Sequence, residues 1–185
     1  MSIFPTKILL ATDGSKEARL ALTTAADMAN STNSELHVAY VFPTAVQRPF
    51  PNPITARPRE VQEHELEEAM DQSQQFLDQQ VDRVKQEGVS VAEAHLVRGR
   101  PDREVVHLSE EIGAGLIILG SRGLGRVRRA LMGSVSDSVV RHAGCPVLIV
   151  REEENRRQDN CPRPGLLLLA YQQHVHVARS VHPDY

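Results

Sequence analysis

The residues with the clearest chemical promise are Gly120-Ser121-Arg122-Gly123, which follow an apolar run at 116–119, and Gly133-Ser134, which open a helical pattern nine residues beyond Gly123. Glycine lets a backbone come close to a phosphate, tolerates positive φ and leaves N–H groups to donate to oxygens. Ser134 adds a hydroxyl at a helix N-terminus. There the unpaired N–H groups of Ser134, Val135 and Ser136 and the positive end of the helix dipole complete an anion site. Arg122 is placed to add a charged donor. The chemistry predicted by this spacing is the binding of nucleotide phosphates.

Other phosphate motifs do not fit. The chain has no GxxxxGK[ST] run, and Gly120, Gly123 and Gly125 read GxxGxG after a fourth strand, where a dinucleotide fingerprint would be GxGxxG after the first. Each glycine alone is open to a turn or helix-start reading; the joint spacing favours phosphate. Asp13, just after the first apolar run, is suited to accept hydrogen bonds from a ribose or base, or to cap a turn. Arg126, Arg128 and Arg129 within the nine-residue stretch either raise the local potential or form a solvated loop. His142 and Cys145 have no partners in catalytic order, and Cys145 beside Pro146 reads as a small buried residue. The tail histidines His174, His176 and His182 have no acidic or cysteine partner at ligand spacing. The sequence therefore predicts neither a catalytic residue nor a metal-ligand set.

These residues need elements to position them. Short apolar runs at 7–11, 35–41, 90–97, 116–119 and 146–150 read as strands. Between them lie helical patterns. Ser15 caps the first, with Ala18, Ala21, Leu22, Ala25, Ala26 and Ala29 on one face. The second spans 59–87, with Leu66, Ala69, Met70, Ser73, Leu77, Val81 and Val84 as its apolar stripe, and others run over 102–112 and 134–142. Five prolines within 43–58 exclude regular structure there. Alternating strands and helices imply an α/β fold, a doubly wound five-stranded parallel sheet with helices on both faces and ligands at the strands' carboxyl ends. One domain over 1–151 is expected. Residues 152–185 form a tail, charged to about 160 and then holding a short apolar segment.

At 185 residues, 41% hydrophobic and 24% charged, the chain resembles an ordinary globular protein. A net charge of −3 and the absence of tryptophan argue against nucleic acid as partner, and no apolar stretch is long enough to span a membrane. Two cysteines, Cys145 and Cys161, with no leader-like segment ahead of the first strand, fit a reducing cytoplasm.

The pattern GxxG, nine residues, G[ST] at Gly120, Gly123, Gly133 and Ser134 resembles the universal stress protein family, specifically its ATP-binding branch. Asp13, the turn Gly99-Arg100-Pro101 and the final Cys145-Pro146-Val147 share the likeness, which covers about 4–151 and leaves out the tail. The resemblance implies that Ala11, Thr12 and Asp13 line the adenosine side and that the Val41 backbone meets the adenine. Gly120, Arg122, Gly123, Gly133, Ser134, Val135 and Ser136 would cradle ribose and phosphates. ATP is the implied ligand, with Mg²⁺ held through phosphates and water. It also implies a homodimer through the edge strand 146–150, an expectation shared by the unpaired edge itself. The function expected is a nucleotide-dependent stress-response or signalling protein with slow or absent hydrolysis. The alternatives are a dimeric adaptor that binds no nucleotide and an adenine-handling enzyme of related fold.

Overall fold

Ile8, Leu9 and Leu10 have 0% of their surface exposed, which places the first strand, β1 (Lys7–Ala11), at the centre of the sheet. The computed structural model describes residues 3–43, 59–124, 132–152 and 176–178. After β1 the elements are α1 (Lys16–Thr32), β2 (Glu35–Pro43), α2 (Arg59–Gln86), β3 (Val91–Gly99), α3 (Pro101–Glu111), β4 (Leu116–Gly120), α4 (Ser134–His142), β5 (Val147–Val150) and β6 (His176–Ala178). The sheet order is β3-β2-β1-β4-β5-β6. Five strands are parallel, as the apolar runs require, and β6 joins β5 antiparallel.

Alternation along the central strands sends Ile8 and Leu10 to one face, against α1 and α2, and Leu9 to the other, against α3 and α4. Helix α1 presents alanines: Ala18, Ala21, Ala25, Ala26 and Ala29 are buried. Small side chains let its backbone lie close to the sheet. Ser15 caps it as expected, its Oγ accepting the Ala18 N–H at 3.1 Å, and Asn33 closes it in the left-handed conformation. In α2 the buried stripe is Ser73, Leu77, Gln80 and Val84. The expected stripe is corrected at two points: Met70 is 44% exposed, and the fully buried residue is Gln80 rather than the half-buried Val81.

Two edge features matter later. Between Leu36 and His37 the β2–β3 register slips: Leu36 pairs with Val91 but His37 with Glu93, leaving Ala92 as a bulge. His37, buried beside that bulge, has its imidazole held below the usual pKa, by burial first and then by the charges of His95 and Lys7. At the opposite edge β5 is not open as the sequence predicts, since Val147, Leu148 and Ile149 pair with Ala178, Val177 and His176. The proline-rich residues 44–58, the arginines Arg126, Arg128 and Arg129, and the tail residues Cys161, His174 and His182 lie outside the described residues.

Candidate functional site

Strands β1 and β4 are neighbours, with Ala11 beside Leu119, yet the chain leaves them in opposite directions, to α1 on one face and to α4 on the other. Their divergence opens a crevice at the carboxyl ends of the strands, where ligands of doubly wound sheets bind. A cleft of about 640 Å³ lies there. Its walls include each residue expected to hold the nucleotide, and leave out Ser121, His142 and Cys145. Ala11, Thr12 and Asp13 come from the end of β1, Val41 from β2, Gly120, Arg122 and Gly123 from β4 and its loop, and Gly133, Ser134, Val135 and Ser136 from the start of α4. Sequence reasoning did not assign to the site the rest of the lining, the apolar Ala18, Ala39, Pro101, Val105, Leu119, Leu124 and Met132 together with Asp137. Ala18, Ala39, Val105 and Leu119 fitted core positions by their spacing, and nothing local marks the others as facing a cavity.

Asp13 organises the mouth. Its Oδ1 accepts the Ser15 N–H and its Oδ2 the Leu124 N–H, both at 3.0 Å, so one carboxylate ties the loop after β1 to the loop after β4. Ser15 repeats the tie by donating its Oγ–H to the Arg122 carbonyl at 3.2 Å. Ser121 secures the loop from below, donating to Glu17 Oε2 at 2.6 Å.

The glycines act differently from the expected role of allowing positive φ. The left-handed glycines of the described chain are Gly14, Gly88, Gly99 and Gly113. A Cβ at Gly120 would stand 2.8 Å from the Glu17 carbonyl carbon and 2.9 Å from the Ala18 nitrogen, so this glycine lets the first turn of α1 rest on the end of β4. Gly123 is bare because the Asp13 carboxylate occupies the space a side chain would take.

The start of α4 is built for an anion. Its N-cap is Gly133, which has no side chain to accept from the first turn, and no described residue accepts the N–H groups of Ser134, Val135 and Ser136. Gly133 spends its own N–H on the Ser121 carbonyl at 2.7 Å, and Ser136 spends its hydroxyl on the Gly120 carbonyl at 2.8 Å. These two bonds aim the helix at the loop. Asp137, the acid of the first turn, is paired with Arg141 at 2.9 and 3.0 Å, and that hydrogen bond holds its carboxyl below the ordinary range. The open donors therefore face the cleft without a fixed counter-charge of their own.

At the β2 side of the cleft, Ala39 accepts the Thr12 N–H at 3.0 Å, so its backbone points toward β1. Val41, two residues on, points the same way by strand alternation, but β1 has already ended at Ala11. Its N–H and carbonyl thus look into the cleft. His142 is exposed and its Nδ1 lies 2.7 Å from the Ser138 carbonyl. Cys145 packs against the second core cluster, and burial pushes its thiol pKa up.

A family model described as "Universal stress protein family" matches residues 5–151. The chain belongs to the universal stress protein family. It is 33% identical over 149 residues to a universal stress protein of Staphylococcus haemolyticus, covering 80% of this chain and 85% of that one. A relative in Staphylococcus aureus strain USA300 is 34% identical over 152 residues, 80% of this chain and 84% of its own. UspA from Lactobacillus plantarum shares the fold, with a TM-score of 0.66 at 23% identity over 80% of this chain and 99% of that one. A universal stress protein solved in complex with cAMP aligns with a TM-score of 0.58 at 26% identity, over 79% of this chain and 97% of its own. The universal stress protein fold accounts for the five parallel strands. No helix among the described residues is long and apolar enough to cross a membrane.

Proposed function

We propose that the cleft binds an adenine nucleotide, ATP first, with Mg²⁺ carried on its phosphates and water, and that this cytoplasmic protein signals stress through nucleotide occupancy. The observation that carries the reading is the convergence of two open sets of backbone donors and acceptors in one cleft. The α4 N-terminus suits phosphates, and the Val41 N–H and carbonyl suit the paired acceptor and donor on an adenine edge. A volume of about 640 Å³ is ordinary for a small-molecule site. The relative solved with cAMP binds an adenine nucleotide, which supports the same class of ligand. Asp13 already serves two backbone N–H groups, so it is poorly placed to activate water, and occupancy rather than rapid turnover fits the geometry.

One observation favours a second reading, an adaptor that binds no nucleotide: Gly120 and Gly123 each have a packing reason to be glycine. Calorimetry separates the two. Titration with ATP is expected to show one binding event per chain, weakened at least tenfold in Gly123→Val; if ATP, ADP and AMP give no heat and leave the melting temperature unmoved, the adaptor reading holds. Pairing of two copies along β5 belongs to either reading and requires β6 to leave that edge.

A further inference from the structure

Far from the cleft, at the amino end of the sheet's other edge, two histidines and a glutamate meet. His37 Nδ1 lies 3.1 Å from His95 Nε2, the rings stack with centroids 5.4 Å apart, and a Glu93 carboxylate oxygen is 3.8 Å from His95 Nε2. One ligand atom from each of the three falls within 4.8 Å of the others. His37 lies four residue steps along β2 from Val41, about 13 Å along a strand, so the cluster is no part of the nucleotide cleft.

The bulge at Ala92 creates this meeting. Val91 packs toward α1 and α2, and in an unbroken strand Glu93 and His95 would face the same way. The slipped register pairs His37 with Glu93 and Ala39 with His95, which turns both side chains to the face where His37 lies. Bulges re-aim side chains at sheet edges.

As a plain histidine pair the arrangement is unsatisfied. The His37 side chain is 6% exposed, and its Nε2 is a buried polar atom with no hydrogen-bond partner. If His37 Nδ1–H donates to His95, the Nε2 lone pair is left buried and faces the Glu35 carboxylate at 3.8 Å, which repels it. If His95 donates instead, Nε2 carries a buried proton that lies beyond hydrogen-bond reach of Glu35. An orphaned polar group of this kind keeps the cost of its desolvation with no bond to offset it.

We propose that His37 Nδ1, His95 Nε2 and Glu93 bind one divalent transition-metal ion of the zinc class. Two imidazoles and a carboxylate are a borderline ligand set that Zn²⁺ accepts with water in the fourth position. Metal at Nδ1 fixes the His37 proton on Nε2, and Glu35, 63% exposed and able to move closer, accepts it, the usual outer partner of a ligating histidine. Glu93 is 64% exposed, which gives the ion a path from solvent. The bound ion would fasten edge strand β3 to β2.

The test uses the full chain with His174, His176 and His182 changed to glutamine, so that tail histidines contribute nothing. Zn²⁺ is titrated against a chromogenic chelator, and Co²⁺ by its visible spectrum. One equivalent should bind, Glu93→Gln should weaken it at least tenfold, and His95→Gln should abolish it; imidazole NMR should show His37 Nδ1 metallated with Nε2 protonated. Glu93 is exposed, so its variant tests the site without threatening the fold. Absence of Zn²⁺ binding, or an affinity left unchanged by either Glu93→Gln or His95→Gln, overturns the proposal. Neither result bears on ATP binding.

Discussion

Asp13 and Gly123 touch across the mouth of the cleft: the carboxylate fills the volume that any side chain at 123 would need, while its Oδ2 accepts the N–H of the next residue, Leu124. The two loops that diverge at the switch point are thus locked to each other before any ligand arrives. Preorganisation of this kind spares a ligand the cost of ordering the loops itself.

The contact makes a coupling prediction. Gly123→Ala should destabilise the chain by colliding with the carboxylate, and Asp13→Ala should destabilise it by freeing the Ser15 and Leu124 N–H groups. The double variant removes the collision, so its loss should fall short of the sum by about 0.5–3 kcal/mol, the range for residues in direct contact. Urea denaturation of the four proteins measures this, and strict additivity would show that the two residues do not bear on each other.

Gly120 predicts a different kind of loss. Its Cβ would meet backbone, not a flexible side-chain end, so neither partner can turn aside. Gly120→Ala should cost about 1–3 kcal/mol through overpacking, and it should weaken ATP binding because α1 and the Asp13 loop shift together. An unchanged denaturation midpoint would mean that α1 does not rest on β4 as described.

These glycines also show what was legible in the sequence and what was not. The five parallel strands and the segment from Gly120 to Ser134 followed from apolar runs and from one spacing, because buried parallel strands are continuous in hydrophobicity. Ala11, Thr12 and Val41 came only with the family resemblance, and the order of the strands was not legible. The reason for each glycine was hidden, since Gly120 answers to Glu17 and Ala18, far away in the chain. Gln80 hid for another reason: a polar residue breaks the apolar stripe on paper while its stem still packs. His37 and His95 are joined only by strand pairing and a bulge, which no local pattern reveals.

Acid should weaken the contact between α3 and α4. Asp102 accepts from Arg100 at 3.0 and 3.3 Å and from Ser138 at 3.1 Å, and it is chiefly the Arg100 hydrogen bond, against a smaller opposing effect of burial, that holds its carboxyl below the ordinary range. A carboxyl with a lowered folded-state pKa stabilises fully above the unfolded value, about 3.9, and loses that contribution as pH falls through the folded one. Stability should therefore decline more steeply below about pH 4 in the natural chain than in Asp102→Asn. Denaturation midpoints over a pH series check the slope, and parallel profiles would remove Asp102 from the account.

The occupied edge of β5 sets the last prediction. A strand edge open to solvent invites a second copy, and β6 closes this one from within the same chain, Leu148 pairing with Val177. In an antiparallel pair successive residues point their N–H groups to opposite sides, so either His176 or Val177 donates toward β5. Proline at both positions removes that donor whichever it is. The natural chain should run as a monomer in light scattering at micromolar concentration, and the double variant His176→Pro with Val177→Pro should shift to a dimer as two β5 edges meet. If both proteins show the same mass, β6 does not control that edge.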